Sequence, residues 1–293
     1  MRRDADTRSA STSSSRRRIL AHVGSIVGGA AVGGRPGGDT RSAAHGGPDG
    51  PPLVAHRGCA ATRPENTIAA VEAAAALVDW VEVDVRRCGT GELVAFHDAT
   101  LGRVTNASGR VDETTLETLS QLSVERSGEP VPTLEAVFEA TPTDTALLLD
   151  LKEPGLVADV RRAHATHGHE LRLVSDAETT VEEAQAASTP ASVAYAVREP
   201  RSTRLLRPVV PGLPAWLYPS PDVDEMVATA RRLGCVVISP RYELCLGTSL
   251  VTRAHDAGLR VWPWTVRSRR AYAALAAADV DAVIADRCVG VRG

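Results

Sequence analysis

The 293-residue chain predicts an α/β fold: a TIM-type (β/α)8 barrel with a β-hairpin inserted after the second strand. Three observations carry that prediction. From Pro51 onward, short apolar runs alternate with Ala-rich helical stretches. The runs are mostly continuous rather than alternating, as for strands covered by helices on a parallel sheet. Aromatic residues make up only 3%, so Ala, Val and Leu must fill the core, which suits layered α/β packing.

The first strand is expected at Leu53–His56, followed by a helix over Glu65–Leu77 and a second strand at Val81–Val85. Leu93–His97 comes next, after the seven residues 86–92. A parallel crossover needs a dozen or more, so this pair must be an antiparallel hairpin. Gly89-Thr90-Gly91 supplies its turn. With the turn centred on Gly89-Thr90, His97 falls opposite Glu82 and shares its face. Helices over Thr114–Leu122 and Thr133–Ala140 lead to a strand at Ala146–Leu151. Then follow a helix (Gly155–His167), a strand (Leu171–Ser175), a helix (Glu178–Ala187) and strands at Ser192–Val197 and Ala215–Tyr218. The chain closes with helix Asp222–Leu233, strand Val236–Ser239, helix Ser249–Ala257, strand Arg260–Val266, helix Ser268–Ala278 and strand Ala282–Ala285. With the hairpin return removed, one candidate strand too many remains. Ala215–Tyr218, flanked by prolines, is the expected irregular insertion. A doubly wound open sheet is the alternative fold, but the chain has no GxGxxG phosphate loop to support it.

Composition narrows the function. The net charge is -3 and apolar residues make up 43%, enough for a real core and too near neutrality to suggest a nucleic-acid partner. No run of about 18 uncharged apolar residues occurs beyond the N-terminal region, so no integral membrane span is expected in the body. The five cysteines (Cys59, Cys88, Cys235, Cys245, Cys288) are odd in number and scattered. They point neither to a disulfide framework nor to a zinc site. Residues 1–50 carry eight arginines against four aspartates among Ser, Gly and Ala, a flexible composition that cannot fold alone. Arg16-Arg17-Arg18, a modest apolar stretch and Ser42-Ala43-Ala44 follow the order of an export signal, with adjacent arginines like a twin-arginine signal. Export is therefore expected; the alternative is a basic tail on a cytoplasmic protein. The domain proper spans 51–293. Among 33 basic residues, Lys152 is the only lysine, which suggests a position needing a compact ammonium rather than a guanidinium.

Barrels carry reactive groups at the C-terminal ends of their strands. Those ends here are His56-Arg57, Glu82 and Asp84, His97-Asp98, Asp150 with Lys152, and Trp262 and Trp264. Glu82 and Asp84, two apart on a strand, point to one face. Read singly, each has a bland explanation: a hydrogen-bonded histidine, a salt-bridge layer at the mouth, or Asp98 capping a turn. Together on one rim they make a site. Three carboxylates without cysteine suit a hard cation, Mg²⁺ or Ca²⁺. Arg57 and Lys152 suit an anionic phosphoryl oxygen, and two histidines can divide proton transfer as base and acid. Phosphodiester cleavage needs these parts.

The same residues resemble a known family. His56-Arg57-Gly58 with Arg63-Pro64-Glu65-Asn66-Thr67 is similar to the "HRG…PENT" opening of glycerophosphodiester phosphodiesterases. Glu82-Val-Asp84-Val, then Gly91-Glu-Leu-Val-Ala-Phe-His97-Asp98, resembles the family's hairpin motif. Leu101-Gly-Arg103-Val-Thr105-Asn106, Val131-Pro132-Thr133-Leu134, Leu149-Asp150-Leu-Lys152, Trp264-Thr265-Val266 and the closing Val280–Asp286 stretch continue the match in order. The resemblance implies a barrel enzyme that hydrolyses small-molecule glycerophosphodiesters to glycerol 3-phosphate and an alcohol. It implies Glu82, Asp84 and Asp150 as metal ligands, and His56 and His97 as the acid/base pair. Arg57 and Lys152 would grip phosphate, Trp264 would contact substrate, and Glu65 would sit at the site's edge, orienting Arg57 or aiding the metal. In the mechanism proposed for the family, a glycerol hydroxyl attacks phosphorus and water opens the cyclic phosphate. The departures are Asp150 where Glu is usual, Cys59 after the first motif, Arg267 for an Asn, and Ala282 and Ala285 for a Gly and a Thr in the last strand. Alternatives are a related phosphodiesterase acting on lysolipids or intact phospholipids, with Trp216, Leu217 and Tyr218 as its apolar surface, or a non-catalytic phosphodiester-binding protein.

Overall fold

The computed structural model describes residues 50–187, 193–197 and 222–291. Among the described residues are nine strands: β1 (Leu53–Ala55), β2 (Trp80–Arg87), β3 (Leu93–Ala95), β4 (Ala146–Leu151), β5 (Leu171–Ser175), β6 (Val193–Ala196), β7 (Val237–Ser239), β8 (Arg260–Val261) and β9 (Val283–Ala285). Their order is β8-β7-β6-β5-β4-β2-β1-β9, with β3 paired outside that path to β2. Every pairing along the path is parallel; β2–β3 is antiparallel. The seam closes where Ile284 N donates to Pro263 O at 2.9 Å and Val266 N to Ile284 O at 2.9 Å. The expected barrel with its hairpin is the fold.

The helices are α1 (Ile68–Ala75), α2 (Leu116–Ser120), α3 (Leu134–Ala140), α4 (Val157–His164), α5 (Glu178–Ala187), α6 (Val223–Arg232), α7 (Tyr242–Gly247), α8 (Leu250–Asp256) and α9 (Arg269–Ala277). Thr67, Thr115, Thr133, Asp222 and Ser268 each cap a helix by accepting from the N–H three residues on, which satisfies one of the N–H groups left open by the first turn. Outward strand residues such as Val83, Leu149 and Leu173 pack against Val71, Val137, Val160 and Leu250 of the helices. Inward residues Val54, Leu148, Val174, Ala194, Val237 and Ile284 fill the barrel. The segment after the hairpin forms its own small core, with Leu101, Val111, Leu119 and Val124 against Val94 and Phe96.

Four expectations need correction. The hairpin register is Val85↔Ala95, Arg86↔Val94 and Arg87↔Leu93, one residue away from that expected. Gly91, at φ 103°, joins the turn as a third loop residue, and Cys88 N donates to Glu92 O at 2.9 Å. His97 therefore lies past the paired ladder rather than opposite Glu82. Strand β8 stops at Val261 because Pro263 has no N–H to donate; the rest of 260–266 stays in the wall through single bridges at Trp264 and Val266. Helix α7 was not expected: six residues are too few to show a period. Cys59 and Cys288 form a disulfide, with Cα atoms 5.8 Å apart and a separation of 229 in sequence; only closure of the barrel makes them neighbours. The candidate strand at Ala215–Tyr218 lies outside the described residues, as does the segment before Gly50.

Candidate active site

The period of β2 puts Trp80, Glu82 and Asp84 on the inner face. The parallel register with β4 sets Asp84 directly beside Asp150. One oxygen each from Glu82, Asp84 and Asp150 lies within 4.8 Å of the others. Glu82 and Asp84 are buried, and three like charges so close need cations. Lys152 supplies one: its Nζ is 2.7 Å from Asp84 Oδ1 and also meets Asp150 Oδ2. Arg57 supplies another, with Nε 3.1 Å from Asp84 Oδ2. Burial opposes ionisation of Asp84, but Lys152 and Arg57 overcome it and hold its carboxyl well below the usual range. Glu82 is pushed well above its usual value, first by burial and then by the charges of Asp84 and Asp150. Lys152 is raised because Asp150, Asp84 and Glu82 outweigh its burial. The donor set is all oxygen, and the charge on Glu82 is poorly compensated by the protein. Both features fit a hard divalent cation held by Glu82, Asp84 and Asp150.

The turn after β1 builds the next layer. Arg57 and Cys59 take left-handed backbone, at φ 51° and 68°. This turns the Arg57 N–H to Glu82 Oε2 at 2.7 Å while its side chain donates to Glu65 Oε1 at 3.0 Å. Gly58 is required here: a Cβ would stand 2.7 Å from Ala70 Cβ of α1. Asn66 clamps Asp84 from both sides, donating Nδ2 to its Oδ2 at 2.7 Å and accepting its N–H at 3.1 Å.

Each histidine is held by an aspartate. His56 Nδ1 is 2.5 Å from Asp286 Oδ1, and His97 Nδ1 is 2.5 Å from Asp98 Oδ1. Each aspartate's other oxygen accepts from an arginine Nε, Arg267 for Asp286 and Arg103 for Asp98, both at 2.5 Å. Such pairing leaves Nε2 of each ring for a ligand. Burial, Lys152 and Arg57 together hold His97 below the usual histidine range, against the pull of Asp84 and Asp98.

A cavity of about 380 Å³ opens over these groups, within the range of small-molecule sites. His56, Arg57, Glu82, His97, Asp150, Lys152 and Trp264 all line it. Trp264 is fixed by its Nε1 donating to Ser239 O at 2.8 Å. Glu65 stands behind Arg57, and Asp84 lies beneath. Sequence reasoning did not assign Asp286, Arg103 or Asn66, though each stands in a quoted motif. Nor did it single out Asp176, Ser239, Arg241 and Thr265, which also line the cavity and carry no distinctive spacing.

A (β/α)8 barrel whose mouth sets two aspartate-held histidines, an arginine and a lysine around a carboxylate cluster is built as a phosphodiester hydrolase. Residues 56–289 match the family model described as "Glycerophosphoryl diester phosphodiesterase family", and the chain belongs to that family. A glycerophosphodiester phosphodiesterase of Caldanaerobacter subterraneus is 28% identical over 247 residues, covering 80% of this chain and 93% of its own. A phosphodiesterase of Oleispira antarctica, solved with the product sn-glycerol-3-phosphate, aligns with a TM-score of 0.67 at 26% identity, over 81% of this chain and 93% of that one. A glycerophosphodiester phosphodiesterase structure from Thermotoga maritima shares the fold, with a TM-score of 0.66 at 19% identity, over 81% and 95% of the two chains. The protein is an enzyme of glycerophosphodiester hydrolysis.

Proposed function

We propose that the chain hydrolyses small glycerophosphodiesters to glycerol 3-phosphate and an alcohol, with a divalent cation, Ca²⁺ or Mg²⁺, held by Glu82, Asp84 and Asp150. The observation that carries this reading is the pair of aspartate-held histidines facing one cavity with that carboxylate cluster. When bound, the cation neutralises charge on the phosphoryl oxygens. Arg57 and Lys152 grip the same phosphate from two sides. With Nδ1–H donated to aspartate, neutral His97 accepts a proton at Nε2 from the attacking hydroxyl, a role its lowered pKa suits. His56 gives a proton to the departing alcohol oxygen as the P–O bond breaks. Trp264 forms an apolar wall beside the substrate, and Glu65 keeps Arg57 aimed. Water then adds to the cyclic phosphate made by the attacking glycerol hydroxyl, giving its proton to His56, while the P–O bond to the glycerol oxygen breaks and that oxygen takes the proton back from His97, so both histidines return to their starting states.

The test is release of glycerol 3-phosphate from glycerophosphocholine or glycerophosphoethanolamine, with and without EDTA. Chelation is expected to abolish turnover and Mg²⁺ or Ca²⁺ to restore it; full turnover after metal stripping sinks the metal assignment. His97→Ala is expected to lower kcat by about 10²–10⁴-fold, and a near-normal rate removes that role. Action on lysolipids or intact phospholipids gains no support, since its candidate apolar surface (Trp216, Leu217, Tyr218) lies outside the described residues. Export is supported by the Arg16-Arg17-Arg18 pattern and by the Cys59–Cys288 disulfide, a bond that persists in oxidising compartments. N-terminal sequencing of the native protein checks it: an intact Met1 argues against cleavage and export.

No helix among the described residues is long and apolar enough to cross a membrane.

A further inference from the structure

Arg103 lies on the segment after the hairpin, in a motif to which the reading above gives no task. Its guanidinium does not touch the carboxylate cluster. Instead it donates Nη1 to Glu65 Oε2 at 2.8 Å and Nη2 to Glu65 Oε1 at 2.6 Å, a two-pronged fork. Its Nε donates to Asp98 Oδ2 at 2.5 Å. The partners of those partners are what matter. Glu65 Oε1 accepts from Arg57 Nη1 at 3.0 Å, and Asp98 Oδ1 meets His97 Nδ1 at 2.5 Å. One planar cation thus joins the carboxylate that aims Arg57 to the carboxylate that aims His97.

We propose that Arg103 is a positioning residue that fixes the phosphate-gripping Arg57 and the proton-transferring His97 in one mutual geometry. The inference rests on the reading of His97 and Arg57 given above. Its physical basis is the number and direction of donors. Glu65 is buried, and its two oxygens face both Arg57 and Arg103. Without Arg103, Glu65 would rotate toward Arg57 alone, and Asp98 would lose the donor that fixes its second oxygen. A lysine has one compact ammonium and cannot span both carboxylates in a fixed plane. The other histidine provides an internal contrast. Arg267 Nε caps Asp286 in the same way, but among the described residues it joins no second carboxylate, and its side chain is 73% exposed against 45% for Arg103. Arg103 is therefore the member of the pair that couples two working groups.

The experiment is a pair of double-mutant cycles on the full chain in the presence of added Mg²⁺ or Ca²⁺, with kcat and KM for glycerophosphocholine read separately. Arg103→Ala is expected to lower kcat by about 10–100-fold, the usual loss when a supporting partner is removed, and to raise KM. The kcat loss is expected to vanish in the Asp98→Ala background, and the KM rise in the Glu65→Ala background, because each effect runs through that carboxylate. Arg103→Lys is expected to restore neither parameter fully, although it keeps the charge. Should Arg103→Ala fail to fold by circular dichroism, the same cycles are run with Arg103→Lys. Wild-type kcat and KM in both variants, or full additivity in both cycles, overturns the proposal. If His97→Ala itself leaves turnover unchanged, the reading of His97 fails; if His97→Ala is crippled and Arg103 is silent, only the positioning role fails.

Discussion

Lys152 is the one lysine among 33 basic residues, and its Nζ stands between Asp84 and Asp150 at the barrel mouth. An ammonium fits that gap as a point charge; a guanidinium would have to force its plane between two carboxylates. Lys152→Arg is expected to lower kcat by about 10²-fold, the scale of losing one donor to developing charge, and wild-type turnover would return the lone lysine to coincidence. Asp286 makes a second case. Burial opposes its ionisation, but the hydrogen bonds from His56 and Arg267 lower its pKa. A carboxyl lowered on folding adds stability above its unfolded pKa, about 3.9, and loses it as pH falls through the folded value. The urea midpoint of wild type should therefore fall toward that of Asp286→Asn as pH drops below about 4, and a gap independent of pH would contradict this. Lys152 could be read from composition alone. The partner of His56 could not, because Asp286 lies 230 residues away.

At the scale of elements, the turn after β1 shows why the opening motif has the residues it has. Arg57 takes left-handed backbone so that its N–H reaches Glu82. Gly58 follows at φ 75°, with α1 packed where a side chain would go. Thr67 then caps α1 by accepting from Ala70 N. Gly58→Ala would place a methyl 2.8 Å from the Ala70 carbonyl carbon, and overpacking of this kind costs about 1–3 kcal/mol. The variant is expected to melt several degrees lower, at roughly 2–4 °C per kcal/mol for a domain of this size; an unchanged Tm would contradict the packing. The strands of the barrel were legible because burial on both faces leaves continuous apolar runs. The hairpin was legible because seven residues cannot make a parallel crossover. Its register was not, since whether Gly91 belongs to the strand or to the turn depends on a φ of 103° that no pattern of side chains encodes.

The barrel is closed twice. Hydrogen bonds join β9 to the segment after β8, and the Cys59–Cys288 disulfide ties the turn after β1 to the chain beyond β9 across 229 residues. A cross-link over so long a loop removes much freedom from the unfolded chain, typically worth about 2–4 kcal/mol. Cys59→Ser, or wild type in dithiothreitol, is expected to show a lower urea midpoint than oxidised wild type. Cys88, Cys235 and Cys245 are free and buried, and burial pushes the thiols of Cys235 and Cys245 up to about 11 and about 12. The native protein should accordingly resist alkylation at pH 8, and the unfolded chain should yield three thiols without reductant and five with it. Five thiols without reductant would rule out the bridge.

The sequence by itself determined the barrel, the hairpin, the family and seven of the groups that line the cavity, His56, Arg57, Glu82, His97, Asp150, Lys152 and Trp264, because these follow from local burial patterns and from short motifs at strand ends. Tertiary structure alone decided which aspartate holds which histidine, that Arg103 joins Glu65 to Asp98, and that two scattered cysteines meet. Each of those depends on closing a parallel sheet into a ring, which brings the first strand beside the last. That neighbourhood is set by the curvature and register of all eight parallel strands together, and no stretch of sequence carries it.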